Sequence, residues 1–228
     1  LERVILPDSI KEIRMGAFYD CQNLKNINLP ERLEVIRKDA FSNCKSLTDV
    51  KIPNGVKIIE KGTFGECISL ENIQLSNNTT EIEEIAFYNC TSLKSIYLPD
   101  SLKKIGSAAF FDCNSLSTVN MPEGIESVGG NVFDGTEVFE NSVADEYGSV
   151  YLGKILLYNK GLNDTVIVKD STKIIANAAF INNYRLEEIE LPEGIIEIGD
   201  NCFENCEALK KIDIKEGLKK IGENSFAG

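Results

Sequence analysis

AFYNCTSLKSIYLP occupies residues 86–99, and AFYDCQNLKNINLP occupies residues 17–30, an offset of three steps of 23. Phenylalanine carries that step along the chain, at Phe18, Phe41, Phe64, Phe87, Phe110 and Phe133, and again at Phe180, Phe203 and Phe226. The gap between Phe133 and Phe180 is 47 residues, two periods plus one. A fixed period of this size marks a solenoid, in which each repeat is one structural unit stacked on the next.

Other residues keep the same phase. Three after Phe come Cys21, Cys44, Cys67, Cys90, Cys113 and Cys206, and six after come Leu24, Leu47, Leu70, Leu93, Leu116, Leu186 and Leu209. Nine and eleven after come apolar pairs such as Ile27 and Leu29 or Ile96 and Leu98, often closed by a proline such as Pro30 or Pro99. The L-x-x-I-x-L stretch alternates apolar and polar residues, which predicts a strand with one buried face. Proline cannot donate to an internal ladder, so it ends that strand. A second apolar pair, as in Leu102 and Ile105, predicts a short extended return segment, and Gly106, Gly129, Gly199 and Gly222 are expected to turn the chain. A single coil cannot bury its own apolar face. Coils stacked about 4.8 Å apart form a parallel ladder over one continuous core.

The pattern L-x-x-I-x-L-P-x-x-L-x-x-I-G-x-x-A-F-x-x-C resembles the BspA-like leucine-rich repeats of bacterial surface proteins, over about 1–133 and 166–228. The resemblance implies a leucine-rich-repeat solenoid of the α/β horseshoe class, dominated by strands. A parallel β-sheet would form one face, with short extended segments and helical turns on the other. It implies a single domain over 1–228, of about ten 23-residue coils with an irregular, hairpin-containing repeat at 134–165. It also implies a secreted or cell-surface protein that works in adhesion or recognition and binds a protein or glycan on a host or neighbouring cell.

Composition narrows the functional classes. The chain has 228 residues, 43% of them hydrophobic and 26% charged, which fits a folded protein. No apolar run reaches the 18 or so residues of a membrane-spanning helix, so no membrane insertion is expected. LERVILPDSI at the N-terminus lacks the basic-then-apolar pattern of a signal peptide. The formal net charge is −12, which repels phosphate backbones and anionic membranes, so nucleic acid is not an expected partner. There is no histidine, the commonest general base and nitrogen metal ligand. No base–nucleophile pair, metal cluster or cofactor loop stands out, and neither an enzyme nor a cofactor is expected.

Seven cysteines are present. In a stacked array their side chains would point the same way at coil spacing, whereas a disulfide needs converging Cβ atoms nearer 3.8 Å. Buried thiols acting as small hydrophobes are therefore expected. Cys202 is out of phase, four residues before Cys206, and is expected in the core.

The pattern lapses over 134–165. The first part carries Asp134, Glu137, Glu140, Asp145 and Glu146, and its spacing lacks the calcium-loop pattern, so a solvated acidic loop is expected. SVYLGKILLY reads as a hairpin turning at Gly153-Lys154, and similar G-K-x-L-x-Y inserts occur within repeats of the family that the chain resembles. GSVYLGK matches G-x-x-x-x-G-K, but Ile155 follows where a phosphate loop needs Ser or Thr and a helix. Asn77, Asn78, Asn89 and Asn163 each begin an N-x-[ST] triplet, which in a bacterial protein is chance.

Residues eight and ten after Phe are expected to face away from the core and line one face. They are Asn26 and Asn28, Asp49 and Lys51, Asn72 and Gln74, Ser95 and Tyr97, Thr118 and Asn120, then Glu188 and Glu190, Lys211 and Asp213. Tyr97 is the one aromatic in the first half, and aromatics are enriched at binding hot spots. The first ten are the candidate binding residues. Val4 and Leu6 already hold strand positions and residue 228 falls before its Cys position, so a piece of a longer repeat protein, or ends that pack on something else, is expected. The functional expectation is a surface recognition module, with a stiff spacer or an accessory arm of a larger secreted protein as alternatives.

Overall fold

The computed structural model describes residues 1–228. It consists of short strands joined by turns, with one four-residue helix. Two compact units divide the chain: Leu1–Ile125 with Asn131–Asn141, and Glu126–Gly130 with Ser142–Gly228.

In the first unit each coil contributes a front strand and a back strand. The front strands Arg3–Ile5, Asn26–Asn28, Asp49–Lys51 and Asn72–Gln74 form one parallel sheet, and Ser95–Ile96 pairs with Thr118–Val119 in another. Register advances by 23 residues, as in Asp49 opposite Asn72 and Lys51 opposite Gln74. On the back, Glu12–Ile13 pairs with Val35–Ile36, and Ile58–Ile59, Glu81–Ile82 and Lys104–Ile105 form a second ladder. The third side is a run of turns around each Phe, and it too is bonded coil to coil. Phe64 N–H donates to Ala86 O at 2.8 Å and Glu66 N–H to Tyr88 O at 2.7 Å, with equivalents in neighbouring coils.

The core follows from the phase of the repeat. Leu24, Leu47, Leu70, Leu93 and Leu116 are fully buried, and Phe41, Phe64, Phe87 and Phe110 stack along the coil axis with them. Successive rings from Phe18 to Phe133 lie 5.2 to 5.6 Å apart, within 10° of parallel. At that separation parallel rings are offset, the arrangement their quadrupoles favour. Beside them the thiols of Cys44, Cys67, Cys90 and Cys113 each reach a Phe carbonyl of the previous coil, at 3.0 to 3.2 Å. Thr79 stands where Leu102 stands one coil later, and its buried hydroxyl has no hydrogen-bond partner.

The second unit repeats this plan. Thr165–Ile167, Glu188–Glu190 and Lys211–Asp213 form the front sheet. The back sheet runs from the hairpin Ser149–Leu152 and Ile155–Asn159 through Ile174–Ile175 and Glu197–Ile198 to Lys220–Ile221. Phe180, Phe203 and Phe226 stack at 5.0 and 5.3 Å. The hairpin turns at Gly153-Lys154, with Gly153 at φ +58° as a two-residue turn with glycine first requires. A strand follows Lys154, so the phosphate-loop match has no helix to support it. Cys202 is buried in the position that Ala109 takes before its Phe.

Two expectations are corrected. Gly106, Gly129, Gly199 and Gly222 do not supply a left-handed turn. A Cβ at Gly106 would sit 2.4 Å from Glu84 N, and those at Gly199 and Gly222 would meet the preceding coil's backbone as closely. Glycine is there because two coils touch. The turns come instead from residues two before and two after each Phe, such as Gly62 (φ +64°) and Glu66 (φ +62°), or Ala108 (φ +53°) and Asp112 (φ +58°). The acidic stretch is also not wholly loop. Glu137–Glu140 is a helical turn capped by Thr136, whose Oγ1 accepts from Phe139 N–H, and the acid in its first turn suits the positive end of the helix.

Two substitutions two residues apart should therefore act in opposite senses. Ala108→Gly should raise stability by about 0.5–1 kcal/mol, since an alanine held left-handed is strained by about 1–2 kcal/mol, part of which glycine's added unfolded-state freedom offsets. Gly106→Ala should lower stability by about 1–3 kcal/mol through backbone overlap. Urea titration of both variants checks this.

Candidate functional site

The outward residues of the first unit's front strands form two columns. One starts at Arg3 and runs through Asn26, Asp49, Asn72, Ser95 and Thr118, and all of these are exposed. The other starts at Ile5 and runs through Asn28, Lys51, Gln74, Tyr97 and Asn120. The alternation that buries Ile27, Val50, Ile73 and Ile96 turns these side chains outward. Ser95–Ile96 lies beside Asn72–Gln74, which carries both columns across the break between the two front sheets. Tyr97 is the exposed aromatic here, 66% accessible.

The residues of this face do not have equal standing. Asp49 accepts a hydrogen bond from Asn72 Nδ2 at 2.8 Å, and hydrogen bonds from Thr48 and Asn72 hold its carboxyl below the usual range. Lys51 Nζ pairs with Glu31 Oε1 at 3.1 Å. Both charges of the strands after Arg3–Ile5 are thus engaged, at exposed positions where an ion pair adds little stability. Asn120 is half-buried and structural. Its Oδ1 accepts from Leu98 N–H and its Nδ2 donates to Leu98 O, both at 2.8 Å. In an earlier coil the same position is bonded through the backbone, Ile52 N–H to Gln74 O at 2.8 Å. The Asn120 carboxamide therefore stands in for the peptide group, and the strand there stops at Val119.

In the second unit the front face is charged. Glu188, Glu190, Lys211 and Asp213 point outward, and Lys215 pairs with Asp213. They line an open cleft of 280 Å³ floored by Ile189 and Leu191. Another cleft, of 390 Å³, lies between Asp145, Glu146 and Tyr147 of the insert and the segment Ile167, Val168, Lys169 and Asp170. Strand spacing alone did not point to this second cleft. Asp145 accepts from the backbone N–H groups of Tyr147 and Ser149, so part of the acidic segment closes its own loop.

Five of the seven cysteines are unsuited to nucleophilic work. Burial pushes the Cys44 thiol up to about 12, and raises Cys67, Cys90, Cys202 and Cys206 as well. A nucleophilic cysteine needs the opposite shift. No helix is long and apolar enough to cross a membrane.

The profile of the family described as "BspA type Leucine rich repeat region" matches residues 1–64, 34–147 and 150–228, in six copies. Seven chains among solved structures match. One is the pneumococcal vaccine antigen PcpA, 25% identical with a TM-score of 0.54, over 95% of this chain and 51% of PcpA. Another is a leucine-rich repeat protein from Bacteroides ovatus, 23% identical with a TM-score of 0.53, over 100% of this chain and 76% of the other. This chain thus spans about half of PcpA and about three quarters of the Bacteroides protein. No curated protein sequence matches.

The two kinds of face residue separate in a stability measurement. Asn120→Ala leaves the Leu98 peptide group without its partners and should cost about 1–3 kcal/mol. Tyr97→Ala should stay within about 0.5 kcal/mol of the parent. Thermal melts followed by circular dichroism distinguish them.

Proposed function

Because the chain belongs to the BspA-type leucine-rich-repeat family, we propose that it is a non-enzymatic recognition or adhesion module, secreted or held at a cell surface, that binds a protein or glycan partner through its repeat face. The observation that carries this reading is the outward double column of the first unit, where polar side chains and one exposed tyrosine repeat at coil spacing. Leucine-rich-repeat solenoids are commonly binding scaffolds, and extended repeat surfaces serve such roles. The solved relative PcpA is described as a vaccine antigen, which supports a surface location. The raised thiols give no support to nucleophilic catalysis. The same reading takes 1–228 as a single repeat domain, with 134–165 as an irregular repeat within it.

Binding to a panel of immobilised extracellular-matrix proteins and glycans tests the proposal. A variant combining Tyr97→Ala, Asn72→Lys and Gln74→Lys spares the Leu98–Asn120 bonds. It should bind at least about tenfold more weakly than the parent while melting at a similar temperature. Undiminished binding by the variant would contradict the role of this face. No binding by either protein would favour a spacer or accessory arm.

A further inference from the structure

We propose that the first unit's front face takes an extended, uncharged polysaccharide that lies along the coil axis, with one sugar near each coil and the Tyr97 ring as its stacking platform. The proposal rests on the recognition reading above and names the class of ligand for that surface.

Three observations support it. The first is charge. The chain as a whole carries −12, yet among the twelve outward residues from Arg3 to Asn120 the only charges are Arg3 at the first strand and Asp49 and Lys51, the last two of opposite sign and each already engaged. The equivalent face of the second unit carries Glu188, Glu190, Lys211 and Asp213. A surface whose charges past Arg3 cancel, on an acidic protein, suits a neutral ligand, because a charged one would meet uncompensated repulsion or leave charges unpaired.

The second observation is chemistry. Asn26, Asn28, Asn72, Gln74 and Ser95 offer carboxamides and a hydroxyl, each able both to donate and to accept. Sugar hydroxyls need that dual capacity. The carboxamides of Asn26, Asn28 and Gln74 are not used in side-chain hydrogen bonds within the protein. The exposed tyrosine supplies an apolar ring face with a polar tip, suited to the C–H face of a pyranose.

The third observation is spacing. Front strands pair in strict 23-residue register, so like positions recur at the spacing of hydrogen-bonded parallel strands, about 4.8 Å. An extended β-linked hexose chain advances by nearly the same step per sugar. An extended peptide advances about 3.3 Å per residue, with like-facing side chains twice that far apart, and so falls out of step with the coils.

Affinity electrophoresis tests the proposal, with soluble neutral β-glucan and hydroxyethylcellulose in one set of gels and heparin and polygalacturonate in another. The parent should be retarded by a neutral polymer and not by the anionic ones. Tyr97→Ala should weaken that retardation at least about tenfold, whereas Tyr97→Phe, which keeps the ring face, should stay within about threefold. Equal retardation by the anionic polymers, or retardation by neutral ones that survives Tyr97→Ala, would overturn the assignment. If no polysaccharide retards the protein but the triple variant loses binding to a matrix protein, the ligand class is wrong and the recognition reading stands. If neither polysaccharide nor protein binds, both fail.

Discussion

Everything on the surface depends on how one coil sits on the next. The phenylalanines set that contact. Each ring lies offset over its neighbour at a little over 5 Å, and a thiol from one coil is bonded to the Phe carbonyl of the coil before. Both contacts need the coils to be the same length. A coil one residue longer would put Phe out of line and, because side chains alternate along a strand, would turn the outer columns inward. The 23-residue step is thus a packing constraint first and a surface pattern second.

From that constraint the front face follows directly. If Ile27, Val50, Ile73 and Ile96 are stacked inside, their neighbours must be stacked outside, in register and at coil spacing. Stacking also explains why the chain tolerates left-handed residues that are not glycine. Ile85 and Ala108 hold φ +51° and +53°, where an L side chain is strained, because the bonded turns on either side leave the backbone no alternative. The unpartnered Thr79 hydroxyl is a further local penalty that the repeat absorbs.

Much of this was legible in the sequence because the signals repeat. Strand faces, Phe stack, thiol row and hairpin turn are each carried by residue types whose burial or conformation is decided locally. The glycines misled because glycine has two uses, left-handed turns and close approach, and Gly106 serves the second. The turn positions carried a readable sign, Asn, Asp or Gly two residues either side of most phenylalanines, but Ile85, Ala108 and Glu66 obscure it. Asn120 was unreadable for another reason. Spacing fixes which side of the strand a residue lies on, but not whether its carboxamide points to solvent or folds back on the neighbouring peptide group. The helical turn after Thr136 was missed because the lapse in the repeat drew attention to charge rather than to the cap.

Oxidative cross-linking of paired cysteines tests the in-register stacking of 23-residue coils most directly. Asn26 and Asp49 are register partners on the outer side of the front sheet, while Lys51 lies two residues further along. The native thiols in the core give a low background, since most are buried. Mild oxidation should cross-link the double variant Asn26→Cys with Asp49→Cys, whose backbones lie within disulfide reach and whose exposed side chains, unlike the packed core thiols, can rotate to converge, and leave Asn26→Cys with Lys51→Cys largely reduced. Equal cross-linking of both pairs, or preference for the second, would contradict the register on which the fold, the front face and the proposed ligand all depend.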